Sequence, residues 1–157
     1  MKQDRFFISI LVGIVALVVV ALVVFFVRKD TQVYVADDNP AGVVQNYVVA
    51  IYKHDYEKAY DYLADLPNKP SLEQFQQPFI SHNMRPEDTA LELGKVEITG
   101  NNATVALNIN NSPRSPFENR YTNTDYAQLI NQNGVWRIKL MPYNFWLYDW
   151  YTPTPKP

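Results

Sequence analysis

The chain has 157 residues, no cysteine, and 16 acidic against 14 basic side chains. That leaves room for one domain beside an apolar N-terminal segment and excludes disulfide staples, thiolate metal sites and a lipid-bearing cysteine. With Lys2, Asp4, Arg5, Arg28, Lys29 and Asp30 set aside as flanks of that segment, 14 acids face 10 bases, a balance of −4; this lacks the basic footprint of a nucleic-acid partner.

Phe6 to Val27 carries no charge, and 18 of its 22 residues are Leu, Ile, Val or Phe. As a helix it spans about 33 Å, the thickness of a hydrocarbon core. In lipid the backbone has no hydrogen-bond partner but itself, so helix is forced even on a valine-rich segment. The apolar run is longer than a signal-peptide core, and the one cleavage candidate, after Ala36, has Tyr34 where a small residue is needed; retention as a single transmembrane helix is expected. Lys2 and Arg5 balance Arg28 and Lys29. With only residues 1–5 to hold back, an N-in, C-out topology in the cell membrane follows, placing the rest of the chain outside the cytoplasm. The lipid bilayer is then the first partner.

Residues 28–38 read as a linker, and residues 39–151 as the folded domain. Asn39-Pro40 suits a helix start, and Val43, Val44, Tyr47, Val48, Ile51 and Tyr52 recur at helical spacing along one buried face. His54-Asp55 breaks that helix. Asp55 caps a short second helix with Tyr56, Ala59, Tyr60 and Leu63 inward, ended by Pro67 and Pro70. Ser71-Leu72-Glu73-Gln74 is a capping box for a third helix with Leu72, Phe75, Phe79 and Ile80 inward, shortened or kinked by Pro78.

From Ala90 the period becomes two. Leu91 and Leu93 have the opposite parity to Val96 and Ile98, so a bulge at Gly94 to Lys95 is needed to bring both pairs to the core. A turn at Gly100 to Asn102 leads to a strand with Val105, Leu107 and Ile109 inward. Ser112 to Asn119 reads as an exposed loop and residues 120–132 contain a third strand. Asn133-Gly134 is a type I′ hairpin signal returning Trp136, Ile138 and Leu140 to the core. Helices followed by an antiparallel meander make an α+β domain.

The runs Asp55-Tyr56-Glu57-Lys58-Ala59-Tyr60, Gly100-Asn101-Asn102-Ala103-Thr104-Val105 and Asn133-Gly134-Val135-Trp136-Arg137-Ile138 resemble the nuclear transport factor 2-like superfamily over residues 39 to 140. The resemblance implies a cystatin-like cone, with a pocket between a long first helix and a bent sheet. Superfamily enzymes such as ketosteroid isomerase and scytalone dehydratase use pocket Asp, His and Tyr residues. Asp61, Tyr47 and Tyr60 are the nominees here, although no catalytic motif carries over residue by residue.

Tyr143 to Tyr151 holds six aromatics in nine residues, before a proline-rich tail at residues 152–157 that suits polyproline II. The aromatic run has three readings: a lid folded over the sheet, a rest at the membrane interface, and a platform for a partner or glycan. Tyr47, Tyr60, Trp136, Trp146 and Trp150 are the candidate ligand-binding residues. His54 and His82 are far apart in sequence and lack an acidic neighbour at ligand spacing, so no metal is expected, and no cofactor. The sequons at Asn102 and Asn110 are short enough to arise by chance. The expectation is a non-catalytic, membrane-anchored domain that binds a protein partner or a small apolar ligand. In layout it is similar to the single-pass scaffold components of type IV secretion complexes. The alternative is a pocket isomerase, dehydratase or hydrolase acting on a lipid-like substrate.

Overall fold

The computed structural model describes residues 2–28, 33–111 and 122–152, which fall into two units, Met1–Val33 and Tyr34–Pro157. The first holds one helix, α1 (Lys2–Arg28). Its Phe7–Val24 stretch has a mean hydropathy of 3.3 and buries none of its side chains in the protein, so it is long and apolar enough to cross a membrane.

The second unit is α+β: helices packed on a curved four-stranded antiparallel sheet. Its first helix, α2 (Pro40–Tyr52), starts as the sequence predicts. The Asn39 side chain accepts the Gly42 N–H at 2.9 Å, and Pro40 fills the first helical position. The helix is buried on more than one face, because Gly42, Asn46, Val49 and Ala50 are covered along with the Val43 and Tyr47 stripe. The segment from Tyr34 to Asp37, read from sequence as linker, lies against its back. Asn46 exchanges two 2.8 Å hydrogen bonds with the N–H and carbonyl of Val35. A Cβ on Gly42 would stand 2.0 Å from the Ala36 carbonyl oxygen, so only glycine fits there.

α3 (Tyr56–Asp61) is capped by Asp55, as expected. It stops well before Pro67, and the cause is not proline. The Tyr62 carbonyl and the Ala64 N–H bond the N–H and carbonyl of Ile138 at 2.8 Å each, diverting the chain into a short parallel bridge. α4 (Leu72–Ile80) carries both arms of its capping box, 3.2 Å from Gln74 N to Ser71 Oγ and 2.9 Å from Ser71 N to Gln74 Oε1. Phe75 and Phe79 are buried on it, whereas Ile80, placed inward by spacing, is 51% exposed.

β1 (Thr89–Thr99), β2 (Asn102–Asn111), β3 (Thr122–Gln132) and β4 (Val135–Leu140) pair in sequence order. The bulge falls where the parity demands it: Leu93 pairs with Leu107 and Val96 with Val105, the register shifting between them. Ile98 has the inward parity but ends an edge strand and is exposed. Asn133 and Gly134 take φ of 56° and 87°, as a type I′ turn requires. The loop assigned to residues 112–119 and the tail after Thr152 lie outside the described residues.

After β4 the chain returns to the core through a 3₁₀ turn at Tyr143–Phe145. Phe145, Trp146 and Trp150 are buried, so of the three readings of the aromatic run the structure bears out closure over the core. Tyr143 and Tyr148 alone among its aromatics point outward.

Candidate functional site

Four of the five aromatic candidates from sequence meet in the core. Phe75 lies at the centre: the rings of Tyr47, Tyr60 and Trp150 stand 6.3, 5.7 and 4.9 Å from it, centre to centre, and Trp146 packs on Trp150 at 5.0 Å. Such tilted and edge-on pairs are favourable beyond their burial. The hydroxyl of Tyr47 donates to the Phe145 carbonyl at 2.7 Å and that of Tyr60 to the Pro70 carbonyl at 2.9 Å. Burial drives the Tyr47 hydroxyl well above its ordinary pKa, so it stays protonated. Asp61 is exposed, and its carbonyl accepts from Arg137. Tyr47, Tyr60 and Asp61 therefore do not form a free hydroxyl and carboxylate facing a common space. Trp136 lies apart from them, half-buried in a depression of about 270 Å³ beside Asp37, Asp38 and Arg137.

A different set of residues converges where sequence reasoning did not look. α2 and α4 both end in the αL type of stop, in which the residue after the C-cap turns left-handed. At α2 that residue is His54, φ 58°, with its N–H bonded to the Ile51 carbonyl and the next N–H, of Asp55, reaching back to Ala50. At α4 it is His82, φ 56°, bonded to the Phe79 carbonyl. Glycine is the usual occupant of this position because a Cβ is strained there. The two histidines of the chain thus sit at equivalent points of two helices.

Both line one open cleft of about 300 Å³. Ile51, Phe79, Met84 and Pro86 form its buried apolar part, Tyr52 and Tyr56 are half-buried in its wall, and Glu87 is exposed at its rim. His54, Tyr56 and Phe79 form a continuous column of rings, 5.9 and 5.5 Å apart with interplanar angles of 26° and 15°. Tyr52 donates to the Thr89 carbonyl at 2.5 Å and meets Phe145 edge-on. Burial, and secondly the negative charge of Glu87, push its hydroxyl up to about 12. The same two causes in the same order raise Tyr56, so one carboxylate acts on both phenols.

The sequence places His54 and His82 far apart; the fold brings them to one cleft with an acidic neighbour. A usable signal was present in each case, a histidine just past a helix end where glycine or asparagine is common. Among the described residues no group of three His, Asp or Glu side chains is positioned to hold a metal ion. A larger groove of about 650 Å³ runs between α4 and the C-terminal turn, past Gln74, Gln77, Asn83 and Asp149. Four of its twelve lining residues are exposed amides, Asn68, Gln74, Gln77 and Asn83, which water satisfies equally well.

No protein-family model and no curated protein sequence matches the chain. Among solved structures it is similar to a SEC-C motif containing protein from Rhodopseudomonas palustris, at 10% identity over 66% of this chain and 77% of that one, TM-score 0.48. It is also similar to an uncharacterized cystatin fold protein from Novosphingobium aromaticivorans, at 11% identity over 66% of this chain and 97% of that one, TM-score 0.44.

Proposed function

We propose that the chain is a non-catalytic binding domain tethered to the cell membrane by α1, with residues 34–152 on the extracytoplasmic side, and that it engages its ligand or partner at the cleft between the ends of α2 and α4. The observation that carries this reading is the contrast between two places. The space under the sheet is filled by Tyr47, Phe75, Trp146 and Trp150, whereas the cleft stays open and gathers both histidines, Glu87 and the half-buried Tyr52 and Tyr56 around it. The apolar exposed face of α1 around its whole circumference supports the tether. Membership of an envelope complex, in the manner of a secretion scaffold, is the form of partnership this layout favours.

Two measurements test the proposal on the full chain. Membranes are washed with alkaline carbonate and then treated with protease from the outside; the domain should stay in the pellet and be digested only in opened or outward-facing preparations. Photo-crosslinkers replacing His82 at the cleft and the exposed Tyr148 outside its lining are then compared in intact cells. Adducts that depend on the His82 position support a cleft partner. Release by carbonate would remove the tether, and only free monomer in several gentle detergents, without adducts, would remove the scaffold.

A further inference from the structure

The cleft has a charge character that selects among ligands. Its lining includes one carboxylate, Glu87, and no lysine or arginine. The neighbouring bases turn elsewhere: Lys58 and Lys53 place their ammonium groups 3.5 and 5.0 Å from the centre of the Tyr34 ring, and Arg85 is not part of the lining. Glu87 forms no hydrogen bond or ion pair with another described side chain. The negative ends of two helix dipoles, of α2 and α4, also finish at the cleft. Of the rings that line it, Tyr56 is stacked between His54 and Phe79, so the aromatic surface that remains is that of Tyr52, His82 and the end of the column at His54.

Aromatic walls, a carboxylate and an apolar floor are the elements that recognise an organic ammonium. The ring quadrupoles attract the diffuse positive charge, and the apolar surface accepts the methyl or methylene groups around nitrogen. An anion would meet repulsion from Glu87 and both helix ends, and a neutral apolar ligand would leave that field unused. We propose that the cleft takes the alkylammonium group of an organic cation, with its carbon shell against the rings and its charge facing Glu87. This rests on the reading of the cleft as the binding seat. The cation has two sources, a free small molecule such as choline and the headgroup of a choline or ethanolamine lipid.

The test uses the full chain in maltoside micelles, with the ring signals of His54 and His82 followed by NMR while choline is added. Its uncharged isostere 3,3-dimethyl-1-butanol is titrated in parallel. Choline should shift both histidines saturably, with the isostere weaker by about tenfold, and Glu87→Gln should weaken choline about tenfold and close that gap. Asp149→Asn, in the other groove and outside the cleft lining, should leave choline affinity unchanged and so report that the protein remains folded and the effect specific to Glu87. Equal binding of choline and isostere overturns the ammonium proposal while keeping the cleft as a binding seat. Silence from both compounds overturns the ammonium proposal, and the absence of adducts at the His82 position overturns the cleft as a binding seat. Nanodiscs separate the sources: histidine shifts in phosphatidylcholine discs but not in phosphatidylglycerol discs assign the headgroup, and shifts only on adding choline assign the free cation.

Discussion

The hydroxyl of Tyr47, in the middle of α2, donates a 2.7 Å hydrogen bond to the carbonyl of Phe145, 98 residues further along the chain. Both residues have no exposed surface. The bond therefore ties the central helix to the C-terminal segment in a place where water cannot replace it. Tyr47→Phe keeps the ring against Phe75 but leaves a buried carbonyl without its donor, and it should cost about 1–3 kcal/mol. Chemical denaturation of the full chain in detergent checks this; an unchanged midpoint would mean that the carbonyl finds another donor.

Trp150 should matter more, through packing alone. Its ring lies against Phe75, Phe79 and Trp146, so Trp150→Ala opens a cavity bounded by three aromatic side chains. The expected loss is about 3–5 kcal/mol, with a large fall in melting temperature. Tyr148, two residues earlier and 77% exposed, is the control: Tyr148→Ala should change stability by less than about 0.5 kcal/mol. Equal effects at the two positions would argue against closure of the C-terminal segment over the core.

The parts of this fold that are legible in the sequence are those decided by neighbours along the chain. The apolar helix, the Asn39 and Asp55 caps, the Ser71 to Gln74 box, the bulge at Gly94 and the Asn133-Gly134 turn all follow from a few consecutive side chains. What escapes is decided by contacts distant in sequence. Nothing local announces that α3 stops because Ile138 captures its exit, or that Gly42 is small because Ala36 crosses it at close range. The cleft belongs to the second kind, since His54 and His82 come to line one space only after α2 and α4 have each packed on α3.

The pairing of Asn46 with Val35 makes a third prediction. Asn46 is 2% exposed and spends its side-chain amide on both backbone groups of one residue. Asn46→Ala should cost about 1–3 kcal/mol, and much of the effect should be local. Limited proteolysis should then cut near Val33 to Asp37 faster than in the parent, with the sheet still protected from hydrogen exchange. Cutting at an unchanged rate would show that Gly42 and Tyr34 hold the segment without this pair.

Alkaline pH tests the environment of Tyr52, whose hydroxyl is raised from 10.0 to about 12 by burial and then by Glu87. The folded chain holds this proton more tightly than the unfolded chain, so the contribution is intact below about pH 10 and is lost as pH climbs toward about 12. Tyr47 and Tyr151 shift in the same direction. Melting temperature should be insensitive to these groups near neutrality and fall above about pH 10. Tyr52→Phe should start lower, having lost the donor to Thr89, and then decline less steeply; parallel curves would exclude Tyr52 from the transition.

The last prediction sets stability against binding at the two histidines. Each is left-handed where a Cβ is strained, so His54→Gly and His82→Gly should each relieve strain and stabilise the chain, by about 0.5–1 kcal/mol after the entropic cost of glycine is subtracted. The same changes remove an aromatic wall from the cleft and should weaken capture of choline. Asn133→Gly supplies the comparison, because Asn133 has φ 56° in the hairpin turn, away from the cleft. Its gain should be smaller, as asparagine tolerates this conformation better than histidine, and choline affinity should not move. More stable histidine variants that bind less well would mean that the strain is retained for function. Variants that lose stability would instead make the imidazoles part of the packing, with His54 held by its stack on Tyr56.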